Sequence, residues 1–365
     1  MTTRLPKAAL SQYLRTRCDR MLACFINESN ASADTLLALP ARPGLAGFRA
    51  RGMEFEKEFL GELAALFPDE FLDVQKSQSK GLPNDIVFKR KLEELAAGHF
   101  SAPRFFNEPS LLQDRYRAVL LKALGVDAAT YPDMTNLRPD LVVAMLRTKD
   151  NDALTGREIK PDGLVRPIAS GDIRIPLRVV DLKFSEQLNV AYAGEVCLYS
   201  MVLAAWLEHP DVALSDRFYV SSTPGVLVRH TERQTGMPTP AASVEERMAW
   251  FEKQVDDAEA DLYAPPVVRF FRDDLKRAID RMDDWRNLEW HVTPTCAFCD
   301  YLGYPGWSKR GITEVQKKWN SLRKGKPAPT LSDYCHEEAR QNNRLNHLPN
   351  LTRGMLRTLD RGNVK

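Results

Sequence analysis

The sequence predicts an α/β fold, an α+β mixed sheet held between helical ends. Two runs in the middle of the chain have strand character, Leu141 to Leu146 and Ile173 to Phe184. A strongly helical stretch follows from Asn189 to Leu207, and then two short runs of strand type, Phe218 to Ser221 and Val226 to Val228. A strand, strand, helix, strand, strand order fits a sheet containing a helical crossover, because parallel strands need a long connection between them. Both flanks read as helical instead, with apolar residues three and four apart. At 365 residues, 44% hydrophobic and 27% charged, the chain can bury a large core.

Taken in order, the first helix is predicted from Ala8 to Phe25, where Leu10, Tyr13, Leu14, Met21, Leu22 and Phe25 make one stripe and Cys18 lies inside. A second helix runs from about Ala50 to Phe67, with Met53, Phe55, Phe59, Leu60, Leu63 and Leu66 on a broad apolar face. The third is opened by Pro109 and ended at Leu124 by Gly125, since proline suits a first turn and glycine a left-handed cap. Gly171-Asp172 turns the chain into the Ile173 strand, which alternates and then becomes continuously apolar, as a strand buried on both faces does. Thr223-Pro224-Gly225 is the turn between the last two strands. From Ser243 to about Leu288 the pattern is helical, interrupted at Pro265-Pro266. These readings divide the chain into residues 1–50, a helical segment; 51–290, the core with a helical extension; and 291–365, a basic, cysteine-ligated segment whose stretch from Leu345 reads as a short helical hairpin.

Several classes fall away. No 20–50-residue period repeats, and nothing is low-complexity. The longest nearly apolar stretch, Val196 to Leu207, is shorter than the ~20 residues a membrane span needs, so no membrane partner is expected. The amino terminus lacks the apolar core of a secretory signal, which predicts a cytoplasmic protein. In that reducing compartment six cysteines point to metal ligation or buried thiols rather than disulfides. The net charge of +2 is unevenly spread: residues 301–365 hold 13 Lys and Arg against 5 Asp and Glu. Lys309 to Lys326 could therefore follow a phosphate backbone, or form an ordinary solvated face. The chain ends at Lys365 without a helix-capping pattern, which leaves open whether it is one piece of a longer polypeptide.

The chemistry is carried by acids at strand ends. Asp/Glu-x-Lys occurs three times, at Glu158/Lys160, Asp181/Lys183 and Asp274/Lys276, about as often as composition predicts, so position must decide among them. Asp274 lies in a helical run where acid and base read as surface partners, and Glu158 lies in a turn-rich stretch. Only Asp181 ends an apolar strand, where it and Lys183 point to the same side of a sheet. Asp140, immediately before the Leu141 strand and behind Pro139, can supply a second carboxylate. Paired carboxylates repel unless a cation neutralises them, and oxygen ligands suit Mg2+ or Mn2+. Glu56 could add a third oxygen from its helix. Cys296-Ala-Phe-Cys299 is a chelating pair, half of a zinc or iron–sulfur site, with Cys18 and Cys335 as candidates for the other half. Cys24 and Cys197 sit among apolar neighbours and read as buried small hydrophobes.

In this order Arg51-Gly-Met-Glu-Phe-Glu56, Arg138-Pro-Asp140, Asp181-Leu-Lys183 and Glu195-Val-Cys-Leu-Tyr199 resemble the motifs of PD-(D/E)XK nucleases of the RecB type. Leu10 to Ala23 resembles the cysteine-bearing helix of their iron–sulfur branch, which includes CRISPR-associated RecB-like exonucleases and the AddB nuclease domain. The resemblance implies a restriction-endonuclease-like core with flanking helices and a cysteine-ligated metal clasp. Asp140 and Asp181 would ligate Mg2+ or Mn2+, helped by the Leu182 carbonyl and by Glu56, and Lys183 would orient or help deprotonate the attacking water. Tyr199 would hold nucleic acid beside the scissile bond, whereas Glu195 stands where that family usually has glutamine. Cys18, Cys296, Cys299 and Cys335 would hold a [4Fe-4S] cluster, zinc being the alternative. The implied activity is a DNA exonuclease acting on single-stranded or processed ends, in DNA repair or CRISPR or anti-phage defence, with a helicase or defence complex as partner. The alternative is a catalytically silent iron–sulfur or zinc DNA-binding module of a helicase–nuclease complex. The chain has no G-x4-G-K-[ST] loop of its own to supply ATP chemistry.

Overall fold

A computed structural model describes residues 4–6, 8–29, 45–74, 84–98, 100–148, 151–229 and 236–281, together with Leu288, Cys296, Cys299, Cys335, Met355, Thr358 and Leu359. The Lys309–Lys326 run lies outside them. The chain forms two units, one of residues Met1–Ala46 with Asp273–Lys365, the other of Gly47–Arg272.

In the first unit the predicted amino-terminal helix is two helices, α1 (Ala9–Thr16) and α2 (Asp19–Ser29). The break falls at Arg17, whose φ of 51° is left-handed and whose N–H closes α1 on the Tyr13 carbonyl at 2.7 Å. Cys18 therefore stands between two helices, and its Sγ accepts the Met21 N–H at 3.4 Å, as an N-capping side chain does. A helix at Leu275–Asp280 packs against α2. Its Arg277 binds Asp19 at 2.6 Å and Asp274 at 2.7 Å, and the Tyr13 hydroxyl donates to Asp19 at 3.0 Å. Asp274 is thus buried, not the surface partner that a helical acid–base spacing suggests, because the guanidinium three residues on draws it inward.

The second unit is built on a seven-stranded mixed sheet: β1 (Phe71–Asp73), β2 (Arg104–Asn107), β3 (Leu141–Ala144), β4 (Ile175–Lys183), β5 (Phe218–Val220), β6 (Gly225–Val228) and β7 (Val255–Asp257). The order across the sheet is β7-β6-β4-β3-β2-β1, with β5 pairing the first half of β4 and β6 its second half. β3 runs antiparallel to β4 and β6 runs parallel to it, as the intervening helix requires. That helix is Val190–Glu208, and the sequence identified its start: Asn189 caps it by accepting the N–H groups of Ala191 and Tyr192. It is long and apolar enough to cross a membrane, yet 83% of its apolar window is buried inside the protein, which makes it the core helix.

Strand alternation sorts the two faces. Val180, Leu182, Leu141, Val143, Phe105 and Leu227 point to one face and pack with Phe59, Leu63, Trp250 and Phe251, from a helix at Leu45–Leu66 and another at Val244–Gln254. Phe106 points to the other face, against Phe88 of a helix at Asn84–Ala97, which in turn stacks on Trp206 of the core helix. Helix Gln113–Ala123 also packs on the core helix. The buried Arg178 guanidinium crosses to Glu252, Asp257 and the Thr223 carbonyl, and pins β4, β6 and β7 together. Gly225 makes room for it, since a Cβ there would stand 3.1 Å from the guanidinium and 2.1 Å from Val255.

The prolines do not interrupt the helix where expected. Pro265 and Pro266 lie inside Ala260–Arg269, and the break comes earlier, where Val255–Asp257 leave the helical path to become edge strand β7. A hairpin of Arg157–Ile159 with Val165–Pro167 also replaces the expected turn, and its Glu158 is buried against Lys160 at 3.2 Å and Arg174 at 3.1 Å.

Candidate active site

The register of β3 on β4 builds the site. Leu141 pairs with Val180, so one step further out Asp140 stands opposite Asp181. Asp140 is held from two directions: its carbonyl accepts the Glu108 N–H at 2.8 Å, and its Oδ2 accepts the Leu182 N–H at 2.7 Å. Asp181 is fully buried, and among the described residues neither of its carboxylate oxygens has a hydrogen-bond donor in good geometry. What it has is an ion pair, the Lys183 ammonium 2.5 Å from Oδ2.

Asp181 and Lys183 face the core helix, and that helix returns two side chains to them, one turn apart. Glu195 Oε2 lies 3.6 Å from the Lys183 ammonium, and Glu195 Oε1 accepts the Tyr199 hydroxyl at 3.0 Å. The Tyr192 ring adds a π face, its centroid 5.8 Å from the same ammonium. Neither Tyr192 nor its place at this site is signalled by the motif spacing; its position three residues before Glu195 on one helical face is the clue that could have found it.

The electrostatics follow from burial and like charge. Burial, and then the Asp181 carboxylate beside it, push the Asp140 carboxyl well above the usual carboxylate range, against the opposing pull of Lys183 and the Leu182 N–H. Burial alone would lower the Lys183 ammonium, but Asp181, Glu195 and Asp140 outweigh it and raise its pKa, so the side chain stays charged. Tyr199 is held neutral, first by burial and then by the three carboxylates.

Glu56 belongs to the helix Leu45–Leu66, which covers the other face of the sheet. It is half-buried, one residue past Phe55, whose ring meets Phe184 at 5.9 Å just beyond Lys183. Its neighbours Arg51, Glu54, Phe55 and Glu58 line a groove of about 810 Å³ that also takes in Phe184 and Arg229. The strand end therefore has an acidic pair on one side and this groove on the other.

Among the described residues no three His, Cys, Asp or Glu side chains gather at metal-binding distance. The acids at the site are a pair, with Glu195 engaged through Lys183. A pair of opposed carboxylates, one of them fully buried and balanced only by the Lys183 ammonium, still fits a hard divalent cation, with water completing its shell. Cys18, Cys296, Cys299 and Cys335 all belong to the first unit. Cys299 donates its N–H to the Cys296 carbonyl at 2.9 Å, so that pair forms one tight turn. Cys197 is a fully buried thiol pushed up to about 12 by its burial, in keeping with an inert core cysteine. Side-chain placement at Cys24 lies outside the described residues.

Family models, curated proteins and solved structures were each compared with this chain, and none matches it.

Proposed function

We propose that this chain is a metal-dependent deoxyribonuclease of the PD-(D/E)XK type, a phosphodiester hydrolase acting on single-stranded or processed DNA ends. The observation that carries the reading is the opposition of Asp140 and Asp181 across β3 and β4 with Lys183 on the same face. Three further features support it. The two antiparallel strands are followed by a crossover helix and a parallel strand, the arrangement of a restriction-endonuclease-like core. Two carboxylates share one ammonium, Lys183, which leaves a negative charge that a divalent cation would offset. The helix after the catalytic strand brings Glu195 and Tyr199 to it.

Asp140 and Asp181 would hold Mg2+ or Mn2+, helped by the Leu182 carbonyl; Glu56, expected from the sequence to add a third oxygen, lies on the helix across the other face of the sheet and is not part of this pair. When bound, that ion supplies charge to the scissile phosphate and lowers the pKa of the attacking water. The protein's own groups do the rest. The Lys183 ammonium donates a hydrogen bond that orients the water, Glu195 holds that ammonium in place, and the neutral Tyr199 hydroxyl braces Glu195. Cys18, Cys296, Cys299 and Cys335 would supply the thiolates of a structural [4Fe-4S] cluster, zinc being the competing metal. The expected setting is cytoplasmic DNA repair or antiviral defence beside a helicase or defence complex.

The test is cleavage of end-labelled single-stranded DNA by anaerobically purified protein with and without Mg2+. Mg2+-dependent loss of full-length strand that disappears in Asp181→Asn supports the reading. Equal cleavage by both proteins, or none by folded wild type with either Mg2+ or Mn2+, overturns it.

A further inference from the structure

Lys183 has two anions within reach and one aromatic face. Its ammonium lies 2.5 Å from Asp181 Oδ2, 3.6 Å from Glu195 Oε2 and 5.8 Å from the Tyr192 centroid. It thereby sits where the positive charge between the two aspartates is needed. A divalent cation bound to the same carboxylate oxygens would be repelled by an ammonium so close to it. The lysine stem is flexible, and its strand stays fixed, so only the head needs to move.

We propose that Glu195 and the Tyr192 ring form a second seat for the Lys183 ammonium, to which it withdraws when a divalent cation binds Asp140 and Asp181. The inference rests on the metal-dependent reading above. One wall of the seat is already fixed and the other is placed by its helix. Glu195 Oε1 is tied to the Tyr199 hydroxyl at 3.0 Å, which leaves Oε2 toward the lysine. Tyr192 lies in the first turn of the core helix, its N–H capped by Asn189 at 3.2 Å. The seat also explains an acid beside a phosphate site: with the ammonium docked, Glu195 presents no net charge to DNA. Glu195 and Tyr192 are then positioning residues, acting through Lys183.

The probe is Mn2+, titrated calorimetrically into metal-free protein without nucleic acid. Tyr192→Leu and Glu195→Gln should each weaken Mn2+ binding, by about threefold and about tenfold, because the ammonium loses part of its refuge. In a Lys183→Met background both penalties should shrink, since no ammonium remains to be moved. Tyr192→Leu is the cleaner arm because it changes no formal charge, and it carries the test if Glu195→Gln fails to fold. Penalties that are equal or larger without the lysine overturn the seat, because Glu195 would then act on the cation directly. Mn2+ binding that survives intact in Asp140→Asn and Asp181→Asn overturns the metal reading itself. The two failures are therefore separable, and neither relies on cleavage.

Discussion

Asp140 and Asp181 stand opposite one another on antiparallel strands, and Asp140 reaches over to take the main-chain N–H of Leu182 at 2.7 Å. The strand that carries one acid thus fixes the other. Their separation is set by the spacing of a sheet, so neither can retreat from the other's charge without disturbing the ladder. Lys183 offsets one negative charge, and Glu195 in turn engages Lys183. The second negative charge at the pair is what a divalent cation would neutralise.

Asp181→Asn should separate catalysis from binding. The change keeps the side chain's shape while deleting a ligand charge, so Mg2+-dependent cleavage should fall by at least about a hundredfold. Affinity for a fluorescent single-stranded oligonucleotide, measured in the presence of Ca2+, should fall by no more than about twofold, because the substitution removes no cationic group that could hold a phosphate. Loss of both together would mean that the substitution has damaged the fold or the DNA surface.

Asp140→Asn should stabilise the metal-free protein at neutral pH while abolishing cleavage. The folded environment disfavours the ionised carboxylate, and asparagine keeps an oxygen for the Leu182 N–H. Relief of one buried like-charge contact should be worth about 1–2 kcal/mol, or several degrees in melting temperature. With saturating Mn2+ the order should invert, because the variant has lost a ligand. A lower melting point for metal-free Asp140→Asn would show that its charge is structurally required.

The same carboxyl sets a pH dependence. Its folded pKa is raised above the unfolded value, so the folded state binds the extra proton. Stability from this group is fully present below the unfolded pKa near 4 and is lost as pH rises through the raised folded value. Metal-free wild type should therefore lose stability between weakly acidic and neutral pH relative to Asp140→Asn. Thermal melts of the two proteins across that window should diverge; parallel curves would remove the raised carboxyl from the account.

Much of this site was legible in the sequence for a physical reason. Period-two alternation places Asp181 and Lys183 together, Asp140 precedes a strand, and Glu195 and Tyr199 are four apart on a helix. Each of those relations is local. The pairing of β3 with β4 was inferred rather than read, and Glu56 shows the limit: its helix is evident, but which face of the sheet that helix covers depends on contacts from Phe55 and Phe59 far along the chain. The short strands β1 and β7, three residues each with weak alternation, and the hairpin at Arg157 exist only through their partners. Asp274 misled for a related reason: its partner Arg277 is only three residues on, but Asp19, which shares that guanidinium, comes from a distant stretch of sequence.

That network predicts unequal costs along one short helix. Arg277→Met removes the guanidinium that offsets the charges of Asp19 and Asp274, which are 4% and 1% exposed, and should cost about 2–3 kcal/mol in urea unfolding. Lys276→Met removes only an exposed pair with Asp280 and should cost less than about 0.5 kcal/mol. Asp274→Ala should also destabilise, so it is unsuitable as an inert control for cleavage. Equal, small losses at Arg277 and Lys276 would show that the buried acids are satisfied by other groups.

The cysteines divide by environment, and that division can be read chemically. Cys18 stands at the amino end of α2, its sulfur facing the Met21 N–H, where helix amides favour a negative ligand atom. Cys296 and Cys299 share one turn, and Cys335 belongs to the same unit as both ends of the chain. Cys197, by contrast, is fully buried on the core helix and held as a thiol. Protein purified without oxygen should therefore be brown and carry about four irons, and Cys18→Ser, Cys296→Ser and Cys299→Ser should each lose them. Cys197→Ser should keep its iron, although the buried hydroxyl costs stability. A cluster bound as proposed would close a long loop, so its removal should then lower the melting temperature and expose the chain ends to protease before the Gly47–Arg272 unit is cut. One zinc in place of iron would make the clasp a zinc site with the same ligands. Full iron content in Cys18→Ser would take the amino-terminal cysteine out of the cluster.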